Sequence, residues 1–315
     1  MITTLTPSPS IDLDYSLETL QRGGVNRAFG FGLHAGGKGV NVARVLTLMK
    51  VNNIAMVPMA KENSDLFLKS AELEKLKLEI LPINSPVRLN VSLVHEGLTT
   101  KINAESAAWS ASEAKKIAGR FKVRSRRSEF AVIGGSLPAG LDSNWLVQLI
   151  SENNHRTKIV VDCSGDVLKA AVSAKPFLIK PNQEEAESLV GFSILTMGDA
   201  VRACFAMREM GPRNILLSLG EQGSLFFNGE EIYRARAEKI EAKNTVGAGD
   251  ALLAGFIGKF KSGPVKALAH GVAWSASAIK SRGTGIAMPP TNFPTELIST
   301  INYKEASLDE DQLQC

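Results

Sequence analysis

From about Ser128 onward the chain alternates short, continuous apolar runs with stretches of helical period. Phe130-Ala131-Val132-Ile133 is closed by Gly134-Gly135, and Ile159-Val160-Val161 by Asp162. Phe177-Leu178-Ile179 is closed by Lys180-Pro181-Asn182, and Ile215-Leu216-Leu217-Ser218-Leu219 by Gly220. Runs this short and apolar predict strands buried on both faces. The intervening helical patterns lie near 143–153, 184–190 and 197–210. Right-handed crossovers between such strands build an α/β fold, a doubly wound and mostly parallel sheet. Ligands of such sheets bind at the carboxyl ends of the strands, which is where the polar residues cluster here.

The first third of the chain has a different pattern. Residues 11–33 and about 86–104 contain pieces that alternate, as in Val87-Arg88-Leu89-Asn90-Val91-Ser92-Leu93-Val94. Alternation predicts a sheet with one wet face. We expect a small β-sheet lid over the mouth of the α/β core, within a single domain spanning residues 1–315. Between the two pieces, Gly36-Gly37-Lys38-Gly39-Val40-Asn41-Val42-Ala43-Arg44 predicts a glycine turn entering a helix.

Composition narrows the class only modestly. A chain of 315 residues that is 44% hydrophobic can bury a large core, and no run approaches the length of a membrane span. The N-terminal segment lacks the basic and apolar regions of a signal peptide. A net charge of +4 fits a small anionic substrate and does not demand nucleic acid. The basic residues between Gly119 and Arg127 read as a solvated face. Cys163, Cys204 and Cys315 are too few and scattered for a disulfide framework or metal cluster, which fits the reducing cytoplasm. The four histidines show no metal-like spacing, and His34 reads as a bystander beside the glycine turn.

The most informative segment is Asn244-Thr245-Val246-Gly247-Ala248-Gly249-Asp250, followed at once by an apolar helical pattern from Ala251. A small-residue turn at a helix start leaves backbone N–H groups unpaired. With the helix dipole they form an anion site. Asp250 stands at its rim, where a phosphoryl acceptor's hydroxyl would lie. An anion cradle beside a carboxylate is what transfer from ATP to an alcohol requires. The plain alternative is a glycine turn with an acid near a helix start.

Other positions are read more coarsely. The Gly36–Arg44 segment matches neither the Rossmann nor the Walker pattern. It still brings backbone N–H groups at Gly37 close to a ligand, and Asn41 can donate to or accept from a sugar hydroxyl. Asp12 can accept from sugar hydroxyls; as a plain alternative it is a turn residue. Arg88 and Lys101 lie in the lid pieces and could hold a substrate phosphate, or be exposed lid charge. Asn182 and Glu185 either organise Mg²⁺ through water around a triphosphate or begin a helix.

Taken together these segments resemble the PfkB (ribokinase-like) carbohydrate kinase family over roughly residues 2–290. Within it they are most similar to the branch of 1-phosphofructokinases, tagatose-6-phosphate kinases and minor 6-phosphofructokinases. The resemblance rests on Pro9-Ser10-Ile11-Asp12, Gly24-Val25-Asn26-Arg27 and the Gly36–Arg44 segment. It continues through Gly135-Ser136-Leu137-Pro138-Ala139-Gly140, Lys180 to Glu185, Ser218-Leu219-Gly220 and Thr245 to Asp250. It implies a ribokinase-like fold with Asp250 as catalytic base and Gly247, Ala248 and Gly249 as the anion hole. It places Lys180, Asn182, Glu185, Ser218, Gly220 and Thr245 at ATP, with Mg²⁺ held through water near Asn182 and Glu185 and by no direct protein ligand. It places Asp12, Gly37, Asn41, Arg88, Lys101 and Ser136 at the sugar phosphate, and the helix from Pro264 to Lys280 near the adenine. The expected reaction is ATP-dependent phosphorylation of a ketohexose monophosphate, fructose 1-phosphate to fructose 1,6-bisphosphate. The alternatives are 6-phosphofructokinase, tagatose-6-phosphate kinase, or a catalytically weak sugar-phosphate sensor. A homodimer through the lid is allowed. The chain departs from the branch at Gly134, Lys61-Glu62-Asn63, Ala104-Glu105-Ser106 and Ser281-Arg282-Gly283-Thr284.

Overall fold

The computed structural model describes residues 1–60, 64–237, 246–280 and 289, and the backbone of 295–302. Thr245, the 61–63 and 281–284 departures and residues 303–315 lie outside the described residues. The chain begins with β1 (Ile2–Leu5), β2 (Ser10–Ser16) and β3 (Gly30–Gly36), then α1 (Lys38–Leu48), β4 (Asn53–Met59), α2 (Asp65–Leu73) and β5 (Leu78–Pro82). The hairpin β6 (Arg88–His95) and β7 (Leu98–Asn103) is followed by α3 (Ala111–Ser125), β8 (Phe130–Gly134) and α4 (Ser143–Asn153). Next come β9 (Lys158–Asp162), α5 (Gly165–Ser173), β10 (Leu178–Ile179), α6 (Gln183–Val190) and α7 (Met197–Glu209). The last part holds β11 (Asn214–Ser218), β12 (Ser224–Phe227), β13 (Glu231–Ala237), α8 (Ala248–Gly258), α9 (Pro264–Lys280) and β14 (Thr295–Asn302).

The main sheet has the order β14-β13-β12-β11-β10-β9-β8-β1-β4-β5. It is parallel from β5 through β11, and β12 to β14 extend it antiparallel. The four runs read as buried strands are β8 to β11, with helices between them as expected. The runs after Ser128 account for only part of this sheet, and β1, β4 and β5 from the first third belong to it as well. Their signal was diluted by polar residues that the fold buries. Thr3 in β1, for example, is fully buried and its Oγ1 lies 2.7 Å from Ser128 Oγ, which satisfies a hydroxyl that would otherwise be costly to bury.

Apolar cores cover both faces of the sheet. One joins the inner sides of α3, α4, α5 and α7, with Phe121, Leu146, Ile150 and Met207 fully buried. The other joins α1, α8 and α9, with Leu46, Leu253, Phe256 and Trp274 buried. The basic residues of α3 lie on its outer side, where Arg120 and Arg124 pair with Glu79 of β5 and Lys122 pairs with Glu152.

A second sheet of four strands, in the order β3-β2-β6-β7, is built from the pieces expected to form the lid, and its strands are called lid strands below. Strand β2 runs antiparallel to β3 and parallel to β6, and β6 is antiparallel to β7. Its strands cover 10–16, 30–36, 88–95 and 98–103, so the expected 11–33 piece is two strands joined by a loop. Ile11 and Ala35 anchor the lid's root against Phe67 and Ala71 of α2. Residues of one face share register: Ser10, Asp12 and Asp14 of β2 stand beside Arg88, Asn90 and Ser92 of β6. Further out, the opposite face exposes Phe31, Leu89 and Ile102.

Candidate active site

The candidate site forms where β1, β8, β9 and β10 end and α1 and α8 begin. Helix α8 starts at Gly247, whose φ of 76° is left-handed and open to glycine at little cost. Gly247, at the N-cap, has no side chain with which to cap the turn, and a helix start of this kind presents N–H groups to a ligand. Gly249 has no such angle; what its missing side chain leaves room for is Lys180. A Cβ there would sit 3.0 Å from the Lys180 ammonium, which therefore lies over the turn.

Asp250 is in the first turn of α8 and is 7% exposed. It was expected at a rim; it sits deeper, because α1 packs alongside α8. Asn41 on α1 donates from Nδ2 to Asp250 Oδ2 at 2.8 Å. Burial, with the nearby charge of Asp162, raises the Asp250 pKa to about 6, against the pull of Lys38, Asn41 and Lys180. If Asp250 must be ionised to act, kcat/KM rises with pH through about 6. A pH–rate profile flat from 5 to 7 would remove Asp250 from that role.

Asp162, at the end of β9, is completely enclosed and bridges two cations. Lys38 donates to its Oδ1 at 2.8 Å, and Lys180 stands 3.4 Å from Oδ2. The second distance is an ion pair without hydrogen-bond geometry, so Oδ2 is a buried acceptor lacking a donor. Burial alone would raise the Asp162 pKa, but Lys180 and Lys38 hold it below the ordinary range. Lys38 is held above its ordinary value: burial lowers it, and Asp162 and Asp250 outweigh that. At Gly134 a Cβ would lie 3.1 Å from Lys38 Cβ and 3.2 Å from the Gly39 nitrogen, so this glycine packs closely against the start of α1.

On the lid, Asp12 accepts from Ser10 Oγ at 2.7 Å and from Asn90 Nδ2 at 3.0 Å. It overlies the strand end that feeds Gly37, since a Cβ on Gly36 would fall 2.2 Å from Asp12 Oδ2. Asp12, Gly37 and Asn41 thus share one corner. Arg88 donates to the Ala104 carbonyl at 3.1 Å and reaches toward Ser8 O and Ser136 Oγ at 3.4 and 3.5 Å. Arg88 and Ser136 are brought together, and the departure at Ala104–Ser106 sits against them. Lys101 is not with them: it pairs in register with Ser92, and its side of β7 is exposed. Four residues of β6 separate that row from Arg88, a span of about 13 Å.

Asn182, Ser218 and Gly220 gather where β10 and β11 end, with Asn182 bridging to Ser218. Asn182 and Glu185 form a reciprocal capping box at the start of α6: Asn182 Oδ1 accepts from the Glu185 N–H at 2.7 Å, and Glu185 Oε2 from the Asn182 N–H at 3.0 Å. That is the helix-start reading, and it leaves Glu185 Oε1 free of the box. Among the described residues no cluster of three or more His, Cys, Asp or Glu side chains could hold a metal ion.

Sequence reasoning missed Lys38, Asp162, Arg44 and Asn90. Lys38 was weighed only as a Walker lysine, and Asp162 only as the residue ending a strand. The available signal for Asp162 was a charged residue directly closing a doubly buried strand.

The chain belongs to the pfkB family of carbohydrate kinases, whose model matches residues 8–292. The 1-phosphofructokinase of Borreliella burgdorferi is 31% identical over 264 residues, covering 84% of this chain and 86% of that protein. The 1-phosphofructokinase of Haemophilus influenzae is 31% identical over 90% of this chain and 93% of its own length. The crystal structure of phosphofructokinase-2 from Escherichia coli in complex with potassium superimposes with a TM-score of 0.84 at 26% identity, over 90% of this chain and 94% of that one. Membership in this kinase family implies ATP as the phosphoryl donor. No described helix is long and apolar enough to cross a membrane.

Proposed function

We propose that the chain transfers the γ-phosphoryl group of ATP to fructose 1-phosphate, giving fructose 1,6-bisphosphate in the cytoplasm. The observation that carries this reading is Asp250: a buried carboxylate oriented by Asn41, one residue from the open N–H turn that Lys180 overlies. The substrate follows the name that several relatives share. Asp250 orients the acceptor hydroxyl and takes its proton, a task suited to a raised pKa. The N–H groups of Gly247, Ala248 and Gly249, with Lys180, hold the charge that develops on the transferred group. Asn182, Ser218, Gly220 and Thr245 bind the nucleotide. Mg²⁺, when bound with it, neutralises phosphate charge, and Glu185 Oε1 and Asn182 would hold its water shell.

Asp12, Gly37 and Asn41 bind the sugar hydroxyls, while Arg88 and Ser136 hold the phosphate already on the substrate; Lys101 adds a weaker, longer-range charge. Arg88→Ala should raise KM for the sugar phosphate roughly 10-fold or more, as for a lost charge-assisted hydrogen bond. Lys101→Ala should cost less, and KM for ATP should barely move in either. Equal turnover of free fructose would replace the sugar-phosphate assignment.

A second substrate, fructose 6-phosphate, is favoured by the likeness to phosphofructokinase-2 from Escherichia coli, which has been solved in complex with fructose-6-phosphate. ADP release measured with fructose 1-phosphate, fructose 6-phosphate and tagatose 6-phosphate decides among them, and absence of turnover with all three would favour a sensor. The exposed apolar lid residues Phe31, Leu89 and Ile102 support a homodimer through the lid, to be tested by light scattering of a Leu89→Lys variant.

A further inference from the structure

The amide of Asn41 can stand in two orientations, and only one serves Asp250. Its Nδ2 must face the carboxylate; a flipped amide would turn an acceptor oxygen toward an acceptor. The residue that decides between them is Arg44, one turn along α1 and 4% exposed. Its Nη1 donates to Asn41 Oδ1, and a guanidinium, which only donates, cannot face the NH₂ end. Arg44 is itself held on two other sides. Nη2 donates to the Ala35 carbonyl at the root of the lid, and Nε donates to Glu74 Oε2 at 2.8 Å, just past α2. His34 on lid strand β3 completes the row, with Nδ1 3.4 Å from Glu74 Oε1. Burial would raise the Glu74 pKa, but His34 and Arg44 together hold it below the usual carboxylate range, so the ion pair with Arg44 persists at neutral pH.

Resting on the reading of Asp250 as the base, we infer that Arg44 is a positioning residue for the reaction, fixing Asp250 through the amide of Asn41 and tying that geometry to the lid through Glu74 and His34. Arg44 touches no reacting atom. The row Asp250–Asn41–Arg44–Glu74–His34 runs from the candidate base to a lid strand through side chains alone, so a displaced lid root would loosen the amide that orients the base.

A kinetic double-mutant cycle tests this on the full chain with ATP and fructose 1-phosphate. Asn41→Ala and Arg44→Met should each lower kcat by roughly 10- to 100-fold, as for a lost hydrogen bond to a charged group. The double variant should be no slower than the slower single one, because Arg44 has nothing to position once the amide is gone. The acid limb of the pH–rate profile should move upward in Arg44→Met, since Asp250 loses a donor while Lys38 of α1, Asp162 after β9 and Lys180 after β10 stay in place. Arg44→Lys, which keeps one donor and the charge, should recover part of the loss. It carries the cycle if Arg44→Met fails to fold. Multiplicative losses, or an acid limb that does not move, would overturn the role. The Asp250→Asn variant separates the two readings: high activity there sinks the base assignment, whereas multiplicative losses beside an inactive Asp250→Asn sink only Arg44.

Discussion

Asp250→Asn should reduce kcat by roughly 10²–10⁴, the range for loss of a positioned general base, with KM for ATP nearly unchanged. The asparagine keeps the size of the side chain, and one oxygen can still accept from Asn41 Nδ2 at the position where Asp250 Oδ2 does so at 2.8 Å. The described hydrogen bond of the carboxylate runs to Asn41 on α1, not to the turn at Gly247–Gly249. Removal of a buried charge with a raised pKa should leave the fold at least as stable above pH 6. The folded state holds the Asp250 proton up to about pH 6 against an ordinary 3.8. Wild-type stability therefore falls as pH rises through that window, whereas the asparagine variant lacks this fall. Single-turnover rates with saturating ATP, set beside urea melts at pH 5 and 7, measure both effects. Near-wild-type single-turnover rates would take the base role from Asp250.

Asp162→Ala should be the most destabilising single change near the site, costing about 3–5 kcal/mol, as when one partner of a buried ion pair is removed. Two cations depend on this carboxylate. Lys180 has only 5% of its side chain exposed; Lys38, at 32%, can partly turn to solvent. Lys180 is thus the larger penalty. The pH dependence has the opposite sign to that of Asp250. With its folded pKa depressed, Asp162 contributes stability at neutral pH, and that contribution is lost as pH falls below the ordinary carboxylate range. Phosphoryl transfer should fall as well, because Lys180 would leave its place over Gly249. Urea unfolding at pH 7 measures the loss, and a cost below about 1 kcal/mol would show that the lysines do not need this partner.

How much could be read from the chain alone depended on whether the physics was local. The strands β8 to β11 were legible because each is a short run of apolar residues closed by a glycine or a polar residue. The turn at Gly247–Asp250 was legible for the same reason: two glycines and an acid at the head of an apolar helix carry their backbone consequences with them. Alternation marked the lid, since period-2 patterning is a property of one strand and its two faces. Strands β1, β4 and β5 were harder, because polar residues such as Thr3, Asn53 and Glu79 interrupt their apolar runs, and the partner of Thr3, Ser128, lies more than a hundred residues away.

The site's electrostatics lay beyond the sequence for that same reason. Asn41 and Asp250, Lys38 and Asp162, and Arg44 and Glu74 are each far apart in the chain and within hydrogen-bond reach in space. No pattern of spacing encodes those pairings; they exist because α1 lies against α8 and because β1 and β9 end at the same edge. The sequence by itself determined which residue types stand at strand ends and helix starts, through periodicity and backbone stereochemistry. Only the tertiary structure decided which of them share a low-dielectric pocket, separating Lys101 from Arg88 by four residues of register and enclosing Asp162 between two lysines, because pairing and burial are settled by the packing of distant elements.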